Sequence, residues 1–201
     1  MKLGLFGGSF DPIHRGHLEP VQAARRELGL DRVVYLPTAR PPHKPGRAVA
    51  PPLARYAMVE LALLAEEGLF ASPHELTLER PAYTVETLLH FRDLHPGAAL
   101  HLLLGADSFA ELHLWVRWRE ILELARLVVL ARPGAERERL LAQPPPALAA
   151  AAPDGVVFVD NPPVAVSSTE LRAAFARGER PPEGAVPELV VQYVEKYGLY
   201  R

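Results

Sequence analysis

Apolar residues along the chain follow two spacings, and their alternation predicts the fold class. Short runs rich in Leu and Val, closed by Gly, Pro or Asp, are typical of strands, whereas apolar residues three or four positions apart are typical of helices. The predicted strands are residues 2–6, 32–37, 69–71, 99–104, 127–131 and 156–159. The predicted helices are residues 16–28, 53–67, 85–94, 118–125, 136–143, 168–177 and 187–197. Strands that alternate with helices indicate an α/β protein.

Two predicted strands carry continuous apolar runs, at residues 100–104 and 128–130. Such runs are typical of parallel strands that are covered on both faces. We therefore expect an open parallel sheet with helices on both faces, joined by right-handed crossovers. Sheets of this kind bind ligands beyond the carboxyl ends of their strands, so functional residues are expected there.

Two proline-rich stretches interrupt the periodic pattern. Residues 37–52 contain six prolines and follow a predicted strand, so they are interpreted as a substrate loop. Residues 143–153 consist almost only of Pro and Ala and are interpreted as a connector. Neither stretch is long enough to separate independent domains. Residues 1–201 are expected to form a single domain, with a C-terminal helical part from about residue 168 to 201 packed on it.

Composition and charge exclude several classes of protein. With 201 residues, 49% of them hydrophobic, the chain is expected to bury a core, which excludes a disordered tail or a coiled coil. A net charge of −2 argues against general nucleic-acid binding. The absence of cysteine excludes disulfides and thiolate zinc sites. No apolar run approaches the ~20 residues of a membrane span and no signal peptide is recognised, so a cytoplasmic location is expected.

The most informative stretch leads from the first predicted strand into the first predicted helix. This signature segment, residues 4–18, reads GLFGGSFDPIHRGHL. Gly7 and Gly8 allow a ligand to approach the backbone closely, and the helix that begins near Gly16 presents unpaired N–H groups and its positive dipole end. Phosphate is the ligand that such a turn favours.

His14 and His17 lie three positions apart at the start of that helix, so both rings are expected to face the anion, with Gly16 leaving room for a ligand oxygen. A hydrogen-bond donor placed on a phosphoryl oxygen contributes ~3 kcal/mol to transition-state stabilisation. Metal ligation is a weaker interpretation, because zinc helices use i, i+4 spacing with a Glu, and no third ligand is evident. Two ordinary surface histidines are the remaining alternative.

A second stretch, Ser167 through Arg172, reads SSTELR and opens a helix after the last predicted strand. Its hydroxyls, free N–H groups and arginine form a second candidate phosphate site, in which Ser167, Ser168 and Thr169 stand at the helix start. Taken alone, Ser168 or Thr169 is an ordinary helix cap. Together with the signature segment, the stretch becomes a specific indication of phosphate binding.

The pairing of GGSFDPxHxGH with SSTxxR resembles the nucleotidyltransferase superfamily that carries the T/HxGH signature, which implies a Rossmann-like fold. Within it the chain resembles the bacterial nicotinate-mononucleotide adenylyltransferases. The residues that carry this closer resemblance are Pro41-Pro42-His43-Lys44, Tyr83-Thr84-Val85-Glu86-Thr87-Leu88, Gly105-Ala106-Asp107 and Trp115. The resemblance implies transfer of AMP from ATP to nicotinate mononucleotide, giving deamido-NAD and pyrophosphate, with Mg²⁺ accompanying the triphosphate and no fixed protein ligand for the metal.

The resemblance also implies roles for individual residues. The ATP site would comprise Gly7, Gly8, Ser9, Phe10, His14, Gly16, His17, Ser167, Ser168, Thr169 and Arg172. Of these, His14, His17 and Arg172, together with Lys44 from the proline-rich loop, would act on the phosphates. Lys44 would also reach the mononucleotide.

Further positions would bind the ribose and the acceptor. Gly105 and Asp107 would bind a ribose, Thr84 would contact the nicotinate carboxylate, and Trp115 would stack on the pyridine ring. From the residues alone, Thr84 is a helix cap and Asp107 is equally a turn residue. Trp115, three positions before Trp118, is by itself more typical of a core or interface anchor than of a stacking residue. Val116 replaces a family aromatic, so no second aromatic contact is implied.

Two alternative functions stay open at the level of sequence. A pantetheine-phosphate adenylyltransferase shares both phosphate motifs, although it tends to be shorter and lacks the features at Thr84 and Trp115. A regulator that binds nucleotide without turnover is the alternative from another class, since fold does not fix function. The presence of both histidines, Lys44 and Arg172 favours an enzyme.

Overall fold

The computed structural model describes residues 1–39, 50–131, 135–160 and 164–201. Its strands are β1 (Lys2–Gly8), β2 (Arg32–Pro37), β3 (Leu69–Ala71), β4 (Ala99–Gly105), β5 (Arg126–Ala131) and β6 (Val156–Asp160). Its helices are α1 (Arg15–Leu28), α2 (Pro52–Leu63), α3 (Thr84–Leu94), α4 (Ala106–Ala110), α5 (Trp118–Leu124), α6 (Ala135–Ala142), α7 (Pro146–Ala150), α8 (Ser168–Ala176) and α9 (Glu188–Tyr197). Within the described ranges, no helix is long and apolar enough to cross a membrane.

The strands form one sheet in the order β3-β2-β1-β4-β5-β6. Parallel pairing sets Gly4 of β1 opposite His101 of β4, and His101 opposite Arg126 of β5. β5 and β6 are also parallel, with Leu127 opposite Val156. The predicted α/β class with an open parallel sheet is therefore confirmed.

The apolar runs lie on β4 and β5, which are interior strands of the sheet. Leu102, Leu103 and Leu104 on β4 are each at most 5% exposed, and Leu127 through Ala131 on β5 are buried. A Cβ on Gly4 of β1 would lie 3.0 Å from side-chain atoms of Leu103 and of Val33. Glycine at this position therefore lets neighbouring side chains close over the strand.

The described residues group into two compact units, each built from segments that are separate in sequence. One unit comprises residues 1–6, 20–34 and the described part of 82–163; within it α3 packs against α5. The other comprises residues 7–19, the described part of 35–81 and 164–201; within it α2 packs against β3 and α9. The single domain over 1–201 stays a prediction.

Three local expectations were wrong. α2 ends at Leu63 and does not extend to residue 67; the turn that follows it contains Gly68, which has a left-handed φ of 78°. Thr84 is the first residue of α3 and not its cap; Tyr83 precedes the helix and makes no side-chain capping bond. The connector at 143–153 contains α7, where Pro146 stands at the first helical turn, a position that suits its fixed φ.

Candidate active site

The turn between β1 and α1 is built around a buried phenylalanine. Phe10 is fully buried and has a left-handed φ of 45°, and its ring centroid lies 5.3 Å from that of His17 and 5.6 Å from that of Tyr35. A Cβ on Gly8 would lie 2.8 Å from the Phe10 ring, whereas a Cβ on Gly7 would meet nothing within 4 Å. Gly8 is therefore required by the turn's own packing, and the side chain of Phe10, a residue expected in the ATP site, is enclosed within the turn.

His14 and His17 lie face to face at the start of α1, with ring centroids 3.9 Å apart and planes 34° apart. The Gly16 N–H donates to Nδ1 of His14 at 3.1 Å, and the His14 N–H donates to Nδ1 of His17 at 3.3 Å. A nitrogen that accepts a hydrogen bond carries no proton, so each neutral ring bears its proton on Nε2. Both histidines are thus fixed as Nε2–H donors.

Gly16 was expected to leave room for a ligand oxygen, but the space beside its Cα is filled by the ring of His14. A Cβ there would lie 3.0 Å from Cε1 and 3.1 Å from Nδ1 of His14. The glycine accommodates the imidazole of His14 and donates to it. Room between the two histidines for a ligand oxygen, which the sequence suggested, is not present because the rings contact each other directly.

Burial sets the charge of His14. Its side chain is 6% exposed, and desolvation lowers its pKa to about 4. At neutral pH the ring is therefore uncharged, in agreement with the accepting role of its Nδ1. A neutral donor can bind a phosphoryl oxygen without losing a proton to it.

His14 also makes stability depend on pH in a defined direction. The unfolded imidazole takes up a proton near its ordinary pKa of 6.5, whereas the folded ring stays neutral down to about pH 4. The contribution of His14 to the free energy of unfolding is therefore complete above pH 6.5 and falls by about 3 kcal/mol as the pH decreases to 4. Urea titrations at pH 7.5 and pH 4.5, on the wild type and on His14→Gln, check this. The variant should lose less stability than the wild type; equal losses would contradict the assignment.

The SSTELR stretch begins α8 and folds onto the signature segment. The Ser167 hydroxyl accepts from the Glu170 N–H at 3.2 Å, so Ser167 caps α8 where Ser168 or Thr169 was expected. The Ser168 hydroxyl instead donates to the main-chain oxygen of Pro12 at 3.4 Å. The two predicted phosphate motifs, 156 residues apart in sequence, are therefore in contact.

Arg172 joins the same two motifs through its guanidinium. One terminal nitrogen donates to the main-chain oxygen of Asp11 at 2.7 Å and lies 3.6 Å from the Asp11 carboxylate. The other donates to the Thr169 hydroxyl at 3.2 Å. The side chain is 17% exposed, so these contacts hold the group while part of it stays accessible to solvent.

Arg55 is a structural anchor of this region that sequence reasoning missed. Only 1% exposed, it donates to the main-chain oxygens of Ser9 at 2.6 Å and Thr38 at 2.7 Å. It also donates to Ala39 at 3.3 Å and Ala50 at 3.1 Å. Burial lowers its pKa, while the charge of Asp11 acts in the opposite direction. The sequence feature that could have pointed to Arg55 is its position as the single cation within the apolar stretch of α2.

Asp11 is the second anchor that the sequence did not identify; it was expected only to order the turn. Its carboxylate is 5% exposed, and Oδ1 accepts from the Ala50 N–H at 3.1 Å and from the Tyr200 hydroxyl at 2.8 Å. Asp11 thus connects the signature segment with Ala50, Tyr200 and Arg172. No pattern in the sequence pointed to Tyr200.

The other candidate residues belong to the first unit and to the undescribed stretch. Gly105 ends β4 and precedes α4, in which the Asp107 side chain is 96% exposed. Thr84 and Trp115 are half-buried, at the start of α3 and after the 3₁₀ turn Leu112–Leu114. Lys44 lies outside the described residues. Among the residues that are described, no group of three or more His, Asp or Glu could hold a metal ion.

Comparison with known proteins identifies the family at the level of sequence. The model of the family described as cytidylyltransferase-like matches residues 5–174. A Thermus thermophilus protein named "Probable nicotinate-nucleotide adenylyltransferase" is 42% identical over 201 residues, covering 100% of both chains. A Clostridium tetani protein of the same name is 37% identical over 200 residues, covering 100% of this chain and 99% of its own.

Solved structures agree on the fold. The Plasmodium falciparum nicotinic acid mononucleotide adenylyltransferase complexed with NaAD matches with a TM-score of 0.74 and 18% identity, over 99% of this chain and 97% of its own. A Vibrio parahaemolyticus structure matches with a TM-score of 0.69 and 18% identity, over 100% of this chain and 96% of its own. With these matches to its whole length and both phosphate motifs in contact, the chain belongs to the nicotinate-nucleotide adenylyltransferase family of enzymes.

Proposed function

We propose that this chain transfers AMP from ATP to nicotinate mononucleotide, giving deamido-NAD and pyrophosphate for NAD biosynthesis. The observation that carries the proposal is the hydrogen bond from Arg172 to the main-chain oxygen of Asp11, because it joins two stretches that each suit a phosphate. The names of the Thermus and Clostridium relatives support the choice of acceptor. The Plasmodium enzyme supports it as well, since its structure is a complex with NaAD.

The reaction is a single displacement at phosphorus. An oxygen of the mononucleotide phosphate attacks the α-phosphorus of ATP, and the bond from that phosphorus to the β-bridging oxygen breaks. Pyrophosphate leaves with the electron pair. A phosphate monoester is already largely ionised near pH 7, since its second pKa is about 6, so no general base is needed. The chain's task is to align the two nucleotides and to offset their negative charges.

The second unit would supply the groups that act on ATP. His14 and His17 would donate from Nε2 to the phosphoryl oxygens, and Arg172 would bind the β- and γ-phosphates. Further contacts would come from the main chain of Gly7, Gly8 and Ser9 and from the helix start at Ser167, Ser168 and Thr169. Phe10 and Gly16 would shape the site without contacting ATP, because Phe10 is fully buried and the Gly16 N–H donates to His14. Lys44 would add a positive charge. The fixed tautomers of the histidines and the partial exposure of Arg172 support these roles.

Acceptor and ribose contacts are assigned to the first unit. Trp115 would stack on the pyridine ring, Thr84 would contact the nicotinate carboxylate, and Gly105 with Asp107 would bind a ribose. The near-complete exposure of the Asp107 side chain leaves its carboxylate accessible to hydroxyl groups.

Mg²⁺ is proposed to accompany the triphosphate, where it would neutralise phosphate charge. The described residues offer no cluster of three ligands for it, so no step is assigned to a protein-held metal. A cytoplasmic location and a single domain are retained as parts of the proposal.

Steady-state turnover with ATP and Mg²⁺ tests the proposal, with pyrophosphate as the readout. Nicotinate mononucleotide, its amide counterpart and phosphopantetheine are offered separately at equal concentration. We expect the highest kcat/KM with the acid mononucleotide. If phosphopantetheine is the only acceptor that supports turnover, the assignment of the phosphate site stands but the roles of Thr84 and Trp115 are contradicted. No turnover with any acceptor, while ATP still binds, would favour the regulator.

Trp115→Ala is expected to raise KM for nicotinate mononucleotide roughly tenfold and to leave KM for ATP within about twofold, because stacking of an aromatic ring on a base contributes ~1–3 kcal/mol. Initial rates at varied acceptor concentration measure the change. Trp118→Ala is the matched control, since Trp118 contacts the Arg119 guanidinium at 4.4 Å and has no assigned ligand. An unchanged acceptor KM in Trp115→Ala would remove the stacking role.

A further inference from the structure

Tyr200, which follows α9, is tied to both phosphate motifs although no sequence pattern singles it out. Its hydroxyl donates to Oδ1 of Asp11 at 2.8 Å, across 189 positions of the chain. Its ring stacks on that of Phe175 in α8, with centroids 6.0 Å apart and planes 24° apart. Its backbone has a left-handed φ of 72°, which is uncommon for a residue other than glycine. The hydrogen bond of the hydroxyl to Asp11 and the stacking of the ring on Phe175 hold Tyr200 in this conformation.

The charges around Asp11 explain why this contact matters. Oδ1 of Asp11 is occupied by Tyr200 and by the Ala50 N–H, while Oδ2 lies 3.6 Å from the Arg172 guanidinium. At that separation the carboxylate and the guanidinium attract each other without a hydrogen bond between them. Burial beside Asp11 raises the pKa of Tyr200 well above its ordinary value, so the hydroxyl stays protonated and remains a donor.

Loss of the Tyr200 hydroxyl would change the contacts that hold the Asp11 carboxylate away from Arg172. The carboxylate of Asp11, held by one hydrogen bond in place of two, could rotate and close the gap to Arg172. A closer ion pair would satisfy the N–H groups of Arg172 that we assign to phosphate, and it would place a negative charge nearer to the incoming triphosphate. Both effects weaken the binding of an anion.

We propose that Tyr200 is a positioning residue for ATP: its hydroxyl fixes the carboxylate of Asp11, which leaves the guanidinium of Arg172 available to the phosphates. The inference rests on the proposed function, and specifically on the assignment of Arg172 to ATP. It adds a residue far outside both phosphate motifs to the set that determines affinity for ATP. Its action passes through Asp11 and Arg172, and Tyr200 itself does not contact the nucleotide.

Calorimetric titration with ATP and Mg²⁺, without acceptor, tests the inference. Tyr200→Phe removes the hydroxyl and keeps the ring on Phe175; we expect it to raise the Kd for ATP about fivefold. KM for nicotinate mononucleotide should stay within about twofold, which a general loss of structure would not produce. Tyr197→Phe is the matched control, because that side chain belongs to a 59% exposed residue and makes ring contacts with Tyr193 and Lys196.

A double-mutant cycle separates positioning from a direct effect. In an Arg172→Ala background, Tyr200→Phe should change the Kd for ATP less than about 1.5-fold, because the residue through which it acts is gone. An equal fivefold change in both backgrounds, or no change in either, would overturn the inference. Should Tyr200→Phe not fold, Tyr200→Leu replaces it, because leucine lacks the hydroxyl and keeps an apolar side chain against Phe175; the same result is expected. If the wild type fails to bind ATP, the proposed function fails first, and the two failures are therefore distinguishable.

Discussion

Replacement of His17 by alanine is expected to lower kcat about 100- to 1000-fold, the usual effect of removing one donor to a phosphoryl or oxyanion group. The ring of His17 is fixed by the His14 N–H on Nδ1, so its Nε2–H is oriented before the substrate arrives. Alanine keeps the main-chain oxygen that accepts from the Tyr35 hydroxyl at 3.2 Å. The local fold should therefore survive. Pre-steady-state rates measure the loss of catalysis, and circular dichroism checks that the fold is preserved.

Two further variants sharpen this prediction. His17→Gln carries a neutral N–H donor at nearly the position of Nε2, so it should recover part of the lost rate. His95→Ala removes an imidazole at the end of α3, without an assigned ligand, and should leave kcat unchanged. Near-normal turnover of His17→Ala would remove the histidine from transition-state stabilisation.

Arg55→Met is expected to lower the free energy of unfolding by about 3 kcal/mol or more, the largest stability effect predicted for this chain. The methionine fills much of the buried volume but leaves four main-chain oxygens without their donor, those of Ser9, Thr38, Ala39 and Ala50. It also removes a cation whose charge faces Asp11. Denaturant unfolding followed by fluorescence measures the loss.

The control for this variant is Arg177→Met, which removes an exposed guanidinium paired with Glu179. Surface ion pairs of this kind contribute little to stability, so its unfolding midpoint should match the wild type. Equal midpoints for Arg55→Met and the wild type would contradict the anchoring role. Arg55→Lys should lie between them, since an ammonium can serve some of the four oxygens.

The helices and strands, and the positions of the two candidate phosphate motifs at the ends of strands, could be predicted because their signals are local. Continuous apolar runs marked the central strands, and the glycines, histidines and the SSTELR stretch lie at strand ends that a parallel sheet brings to one edge. The contact of Ser168 with Pro12 confirms that the two motifs meet. The overall resemblance led to the same family as the comparisons.

The anchors of the site could not be predicted, because each depends on contacts between distant parts of the chain. Arg55 reaches Ser9 across 46 positions and Tyr200 reaches Asp11 across 189. A cation among apolar residues marks Arg55 only as unusual, and a lone tyrosine carries no signal at all.

The glycines illustrate a related limit. A glycine beside a functional residue indicates that something approaches closely, but the sequence does not say what. At Gly8 and Gly16 the approaching groups are the protein's own Phe10 and His14 rings.

The most direct test of the central claim is a single-turnover experiment with ATP labelled at the α-phosphorus, enzyme in excess, and Mg²⁺. With nicotinate mononucleotide present, the label should pass into deamido-NAD with one pyrophosphate released for each dinucleotide formed. Without acceptor, the label should stay in ATP, because the displacement has no covalent intermediate. Direct adenylyl transfer to nicotinate mononucleotide would be contradicted if pyrophosphate were released without acceptor, or if the label stayed in ATP when nicotinate mononucleotide was present.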